Sequence, residues 1–346
     1  MMTIEKLQET LDQCREEAHV AGAAAGFVSG STISCAYSGF NNLVTKKPID
    51  SNSIFEAASI SKLILTYVVL RMVQEKSFGL ETAALSLVNE KDLIGSPWYS
   101  LLNCEGFHGI SIRNILSHST GLPNWAPTDG IKRLLFPPGR CFQYSGMSHL
   151  FLQWVLERHF LTPWQEIANR YVFSPLGMNN SGFVWKDAWE DGLVHGHSAK
   201  GIPSDKARFH LGGGVAAGLL TSAADYASFF KELLAKMEDP RSSFSQMYHS
   251  QIDRFYGIES SPANHPMAWG LGIGLDLTEN GPFVWQSGAN PFFFNWLVGN
   301  PRTQEGLVCF TNSEPGHTML CTFFERVFGR EFGSFKFEQQ YLKDHS

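Results

Sequence analysis

Ser59-Ile60-Ser61-Lys62 follows the turn-forming cluster Asp50-Ser51-Asn52-Ser53 and opens an apolar run through Leu63, Ile64, Tyr67 and Leu70. The pattern predicts a helix over residues 60–74 that places Ser59 and Lys62 on one face, because residues three apart on a helix are neighbours. A serine hydroxyl is a weak nucleophile near neutral pH and needs an adjacent base. Lysine serves as that base only when burial or a second cation suppresses its charge. Unpaired backbone N–H groups at a helix start would also lie beside Ser59 and help to hold a developing oxyanion.

A second stretch, Tyr144-Ser145-Gly146, follows the turn Pro137-Pro138-Gly139 and adds a phenol that could share the proton handling. Ser-x-x-Lys alone is weak evidence, since two common residues recur at a fixed spacing by chance. The chain contains a decoy, Ser228-Phe229-Phe230-Lys231, inside a helical pattern that starts near Ser222 with Asp225 as its capping-box partner. There the backbone donors belong to the helix. Ser59 sits at a boundary, where they are available.

With 43% apolar residues, a chain of 346 can bury a large core and exceeds one simple domain. A net charge of −6, with Lys and Arg scattered, gives no basic footprint for nucleic acid. The apolar run from Leu63 to Leu70 is too short to span a bilayer. The N-terminus has apolar residues at helical spacing rather than a basic segment followed by an apolar stretch, so cytoplasmic residence is expected. Six widely spaced cysteines without a Cys-x-x-Cys pair suggest reduced, mostly buried thiols rather than zinc or a disulfide framework.

Along the chain, a helix from about Ile4 to Ala18 leads into strands at residues 22–28 and 32–38, joined by Ser29-Gly30-Ser31. Residues 60–205 are mainly helical, with helices expected at 60–74, 112–116, 148–159 and 163–172. Another helix is expected at 221–236. Strand-like runs follow at 268–277, 283–287, 293–299 and 306–312, then a last helix at 318–327. Residues 240–266 read as a long loop.

Five segments in this order carry a resemblance: Phe55 to Lys62; Ile112-Arg113-Asn114-Ile115-Leu116-Ser117-His118-Ser119-Thr120-Gly121-Leu122-Pro123; Pro138 to Ser145; Pro175-Leu176-Gly177-Met178; and Ala216 to Tyr226. The chain resembles, over nearly its whole length, the serine β-lactamase-related proteins of the class C group, which includes D-aminopeptidases, DD-peptidases and family VIII carboxylesterases. The resemblance implies an α/β (α+β) fold of β-lactamase/transpeptidase type, an antiparallel sheet flanked by helices. Residues 1–57 and 206–346 would form the sheet part and 58–205 a helical insert, with the active cleft at their junction. It implies that Ser59 is acylated, that Lys62 and Tyr144 shuttle the proton, and that the N–H groups of Ser59 and Ala289 form the oxyanion hole. No cofactor or metal is implied.

The departures narrow the substrate. The family's second motif commonly ends in asparagine, where this chain has Gly146, so an amide that could hold a substrate acylamide is missing. The third motif commonly offers a cation, whereas Trp285-Gln286-Ser287-Gly288-Ala289 places a neutral glutamine there. Gln286 can still donate hydrogen bonds, but charged hydrogen bonds are roughly twice as strong. An ester or small amide held by apolar contacts is therefore favoured over a β-lactam or D-Ala peptide. A catalytically silent ligand- or partner-binding relative is the third reading. Gln286, Ser287, Gly288, Gly146, Trp125 and Phe292 are the candidate substrate contacts, although for each aromatic core packing is the plainer reading.

Other motifs read as structural. His195-Gly196-His197 lacks a third ligand nearby and reads as loop. His118 is assigned a hydrogen-bonding role. Gly212-Gly213-Gly214 lacks the Lys-Ser/Thr of a phosphate loop and reads as a tight turn. No Gly-x-Ser-x-Gly elbow occurs, which argues against an α/β-hydrolase.

Overall fold

The computed structural model describes residues 2–204, 213–256, 267–279 and 281–345. Its helices and strands are, in chain order, α1 (Ile4–Glu17), β1 (Gly22–Ser29), β2 (Thr32–Asn42), β3 (Lys47–Pro48), β4 (Phe55–Glu56), α2 (Lys62–Gln74), α3 (Ile112–Leu116), α4 (Gly146–Phe160) and α5 (Trp164–Ala168). There follow β5 (Leu220–Thr221), α6 (Ala223–Glu238), β6 (Met267–Trp269), β7 (Gly274–Asp276), β8 (Phe283–Asn290), β9 (Phe293–Asn300), β10 (Glu305–Thr311), α7 (Gly316–Phe328) and α8 (Gly333–His345). Among the described residues, eight strands form one antiparallel sheet in the order β3-β2-β1-β10-β9-β8-β7-β6, while β4 and β5 pair separately.

Strand alternation explains how both faces are covered. On β1, Ala24 and Val28 enter one core while Ala23, Ala25 and Phe27 enter the other. On β10, Val308 and Phe310 face the first and Leu307 and Cys309 the second. The first core receives α6 and α2, and the second receives α1 and α7. Helix α6 comes close because β9 and β10 present Gly299 and Gly306 to it. A Cβ on Gly306 would lie 2.6 Å from the Phe230 ring, and one on Gly299 would lie 2.7 Å from it. Full burial of a side chain such as Phe230 contributes roughly 1.5–3 kcal/mol.

Helix α2 is buried on nearly every side, as an apolar helix without a polar face must be. Its Tyr67 lies against Phe229 of α6 and Phe244 of the following segment. The helix axis therefore cannot rotate without breaking both contacts, which fixes the direction of the residues at its start.

Several sequence expectations change. The run 268–277 is two short strands, β6 and β7, parted by a turn in which Gly272 has φ +73° and packs against Thr66. Helix α7 is not the last helix, because α8 follows it after Gly329, which ends α7 with φ +65°. The expected loop at 240–266 contains a short helical segment, Ser243–Tyr248, and residues 257–266 lie outside the described residues. Cys14 and Cys309 are buried and the other four thiols half-buried, all unpaired. Among the described residues no helix is long and apolar enough to cross a membrane.

Candidate active site

Ser59 lies in a short 3-10 turn, Ala58–Ser61, that precedes α2, rather than in the helix itself. Ala58 has φ +49°, a left-handed conformation that costs a non-glycine residue on the order of 1 kcal/mol and persists only where neighbours enforce it. Those neighbours are identifiable. Tyr226 donates to Ile60 O at 2.8 Å, Leu219 N donates to Ser61 Oγ at 3.0 Å, and Ser61 donates in turn to Ala58 O. Asn295 Nδ2 donates to Glu56 O at 2.8 Å. Gly288 of β8 presses on the turn, where a Cβ would sit 2.5 Å from Ala57 O and 3.1 Å from Ser59 N.

Lys62 is 1% exposed, with Nζ 3.0 Å from Ser59 Oγ and donating to Ala216 O at 2.6 Å. Burial removes water from the ammonium and brings its pKa down to about 7, so the neutral amine is well populated near neutral pH. The same Nζ stands 4.8 Å from the centre of the Tyr144 ring. Ser59, unlike Lys62, is partly exposed, so the hydroxyl opens to the cleft while the amine stays behind it.

Tyr144 is positioned by the segments on either side of it. Gly139 N donates to Ser119 O at 2.7 Å and Gln143 N to His118 O at 2.8 Å, which ties the Pro-Pro-Gly turn to the 117–123 loop. The His118 ring stacks on the Tyr144 ring with centroids 4.4 Å apart, and its Nδ1 accepts from Ser145 N at 2.9 Å. Burial, reinforced by His149 and Lys62, holds the His118 pKa well below the usual histidine range. Neutral His118 therefore carries its proton on Nε2. Burial, followed by the charge on Lys62, likewise lowers the pKa of His149 to about 3. Gln286 Nε2 donates to the Tyr144 hydroxyl at 3.2 Å.

These groups open onto a cavity of about 250 Å³. Ser59, Tyr144, Gln286, Ser287, Ala289 and Trp125 all line it. Trp125 is 46% exposed at its mouth. Two of the expected substrate contacts change character. Gln286 is 1% exposed and directs its amide to Tyr144. Phe292 is a turn residue with φ +67° packed near Gly196, and is not among the described residues that line the cleft. Gly146 N donates to Asn124 Oδ1 at 2.9 Å, and a Cβ at Gly146 would meet Asn124 O at 3.0 Å. The amide of Asn124 thus occupies the place next to Gly146.

Sequence reading misses Asn124, Trp269, Phe337 and Glu338, all of which line the cleft. None belongs to a motif, and Phe337 and Glu338 lie on the unforeseen α8. Glu56, just before the Ser59 turn, is a further ionisable group that lies in the first matching segment without a role assigned from sequence. It accepts from Asn290 Nδ2 at 2.7 Å, and burial brings its pKa up to about 7 against that hydrogen bond. His197 is a staple: Nδ1 donates to Asn312 O at 3.1 Å and Nε2 accepts from Leu43 N at 3.1 Å. Gly213, with φ +74° against Phe183 O, belongs to a turn, and Gly212 lies outside the described residues.

A serine, a buried amine and a phenol are gathered at one cleft beside an antiparallel sheet flanked by helices, and the fold is of the β-lactamase/transpeptidase type. The chain belongs to the beta-lactamase family, whose model matches residues 7–322. It is similar to penicillin-binding protein 4* of Bacillus subtilis (strain 168), 24% identical over 195 residues, which are 50% of this chain and 40% of that relative. The chain thus spans less than half the length of that relative. Among solved structures it is similar to the octameric penicillin-binding protein homologue from Pyrococcus abyssi, with a TM-score of 0.76, 18% identity, and coverage of 95% of this chain and 78% of that one. It is also similar to the D-alanine carboxypeptidase AmpC from Burkholderia cenocepacia, with a TM-score of 0.72, 15% identity, and coverage of 94% and 100%. At these identities the likeness is one of fold.

Proposed function

We propose that this chain is a serine hydrolase that forms an acyl-enzyme on Ser59 and cleaves esters or small amides. The cleft would lie at the junction of a sheet part, residues 1–57 and 206–346, and a helical insert, residues 58–205. The observation that carries the reading is Lys62 Nζ, buried and brought to a pKa of about 7, at 3.0 Å from the partly exposed Ser59 Oγ.

In this reading the neutral amine of Lys62 takes the Ser59 proton as Oγ attacks the substrate carbonyl. The oxyanion is held by the N–H groups of Ser59 and Ala289, a pairing supported by the contact of Gly288 with the Ser59 turn. The proton passes from Lys62, with Tyr144 beside it, to the leaving oxygen or nitrogen as the acyl–leaving-group bond breaks. A water then attacks the acyl-enzyme, gives its proton to the same base, and releases the acid with Ser59 restored. Tyr144 receives a hydrogen bond from neutral Gln286 rather than from a cation, so stabilisation of a phenolate is modest.

Intact mass spectrometry with a fluorophosphonate and a panel of slowly deacylating esters, comparing wild type with Ser59→Ala, tests this directly. A covalent adduct on wild type alone is expected. Equal ester turnover by both proteins defeats the reading. The names of the relatives favour penicillin or D-Ala peptide chemistry as a second reading, which predicts adducts with penicillins and release of D-alanine. No adduct or turnover with any class would leave a silent binding relative.

A further inference from the structure

Among the described residues, the walls of the cleft beside Ser59 carry one carboxylate, Glu338, and neither lysine nor arginine. The rest of the lining is dominated by aromatic rings: Trp125, Phe142, Tyr144, Trp269, Trp285 and Phe337. Lys62 stands behind this surface, buried and turned to Ala216 O and Ser59. Glu338 comes from α8, where its neighbour Phe337 packs against Trp285 with ring centroids 6.0 Å apart. Ser287 donates its hydroxyl to Glu338 Oε1. The second oxygen, Oε2, is buried without a hydrogen-bond partner among the described residues and faces His317 Nε2 at 3.6 Å, an ion-pair distance when that ring is protonated.

A carboxylate in the wall of a largely apolar cleft, with no full positive charge among the described lining residues, favours a ligand that brings one. The ligand group that satisfies both a carboxylate and a ring of aromatic faces is a positively charged nitrogen, which is drawn to each by electrostatics. An anionic substrate would meet the opposite: one like charge and no cation among the described lining residues.

We propose that Glu338, with the aromatic walls of the cleft, recognises an ammonium group, so that the substrates of Ser59 are esters or small amides bearing a positively charged nitrogen. This rests on the serine-hydrolase reading and names its substrate class.

The test compares kcat/KM at pH 8 and low salt for para-nitrophenyl esters of matched chain length. One bears an ammonium (aminocaproate), one is neutral (heptanoate) and one bears a carboxylate (adipate). Acetylthiocholine and its neutral isostere dimethylbutyl thioacetate place the same charge on the leaving side and separate quaternary from primary ammonium. The cationic member of at least one pair is expected to exceed its neutral partner by about tenfold, with the carboxylate ester slowest. Glu338→Gln keeps an oxygen to accept from Ser287 and is expected to bring that ratio close to one, its fold checked by thermal unfolding. Preference for the neutral or anionic ester in wild type, or an unchanged ratio in folded Glu338→Gln, overturns the proposal. If no ester is turned over, the hydrolase reading fails separately. Tryptophan fluorescence titrated with choline then decides: quenching that Glu338→Gln abolishes supports an ammonium site, and no quenching overturns it.

Discussion

Ser59-Ile60-Ser61-Lys62 and Ser228-Phe229-Phe230-Lys231 have the same spacing and opposite fates. In the second, Ser228 donates to Ala224 O at 3.0 Å within α6, and Lys231 reaches the backbone of Ser31 at 3.5 Å. Its serine is absorbed by helix hydrogen bonding and its amine turns away. In the first, the turn before the helix frees Ser59 from the ladder, and burial turns Lys62 back onto its hydroxyl. Spacing sets which residues share a face, but the start of the helix and the desolvation of the amine decide whether they act together.

The sharpest way to break this comparison is to remove the two serines. Ser59→Ala should abolish covalent labelling and lower kcat/KM on the order of 10⁴-fold, as measured by ester hydrolysis, whereas Ser228→Ala should stay within about twofold. Comparable losses at both sites would overturn the distinction.

Lys62→Met comes next, with kcat falling on the order of 10³-fold while the melting temperature rises by several degrees. The sign follows from burial. A lysine whose folded pKa is about 7, against 10.5 for the free side chain, binds fewer protons folded than unfolded between those values. Stability therefore increases with pH across that window, and below it the buried charge carries its full cost. Removing the charge should relieve that cost, a stability–activity trade-off measurable by calorimetry at pH 6.

Activity should respond to the same proton. Below about pH 7, kcat/KM should fall tenfold per pH unit as Lys62 becomes charged. Glu56 also has a pKa raised to about 7, so the comparison is sharpened by Glu56→Gln, which should retain the acidic limb if Lys62 controls it. Loss of the limb in that variant would transfer control to the carboxyl group.

The smallest effect concerns the helix that holds the decoy. Gly306→Ala places a Cβ 2.6 Å from Phe230 and should destabilise the fold by about 1–3 kcal/mol, read as a lower melting temperature, while labelling of Ser59 persists below the transition.

Much of this arrangement is legible in the sequence because local pattern and tertiary role agree. Periodic apolar residues mark α2, α6 and the strands of the sheet, and the order of the five segments points to the family that the comparisons show. The turn at Ser59 reads as helix because nothing local announces the left-handed Ala58, which is imposed by Tyr226, Asn295 and Gly288 from distant parts of the chain. Helix α8 is hidden because Phe332, Phe335 and Phe337 do not form a helical stripe, and their burial comes from packing against the sheet. Gln286 is legible as a donor, but its target is not, since Tyr144 is 142 residues away. The Asp225 capping box is half right: Ser222 accepts from Asp225 N, but the carboxylate accepts from Asn180 N and Ser181 Oγ instead.

The sheet places β1 directly beside β10, pairing Gly26 with Val308. During synthesis the amino-terminal strands must therefore wait, with an open edge, until nearly everything between them and β10 has emerged from the ribosome. The pressure of Gly288 on the Ser59 turn is equally late to arrive, so a nascent or prematurely terminated chain has its hydroxyl and amine without the strand that sets them. The geometry around Ser59 is thus incomplete until translation has passed β8, and the unpaired edge of β1 is where such a fragment would aggregate or engage a chaperone.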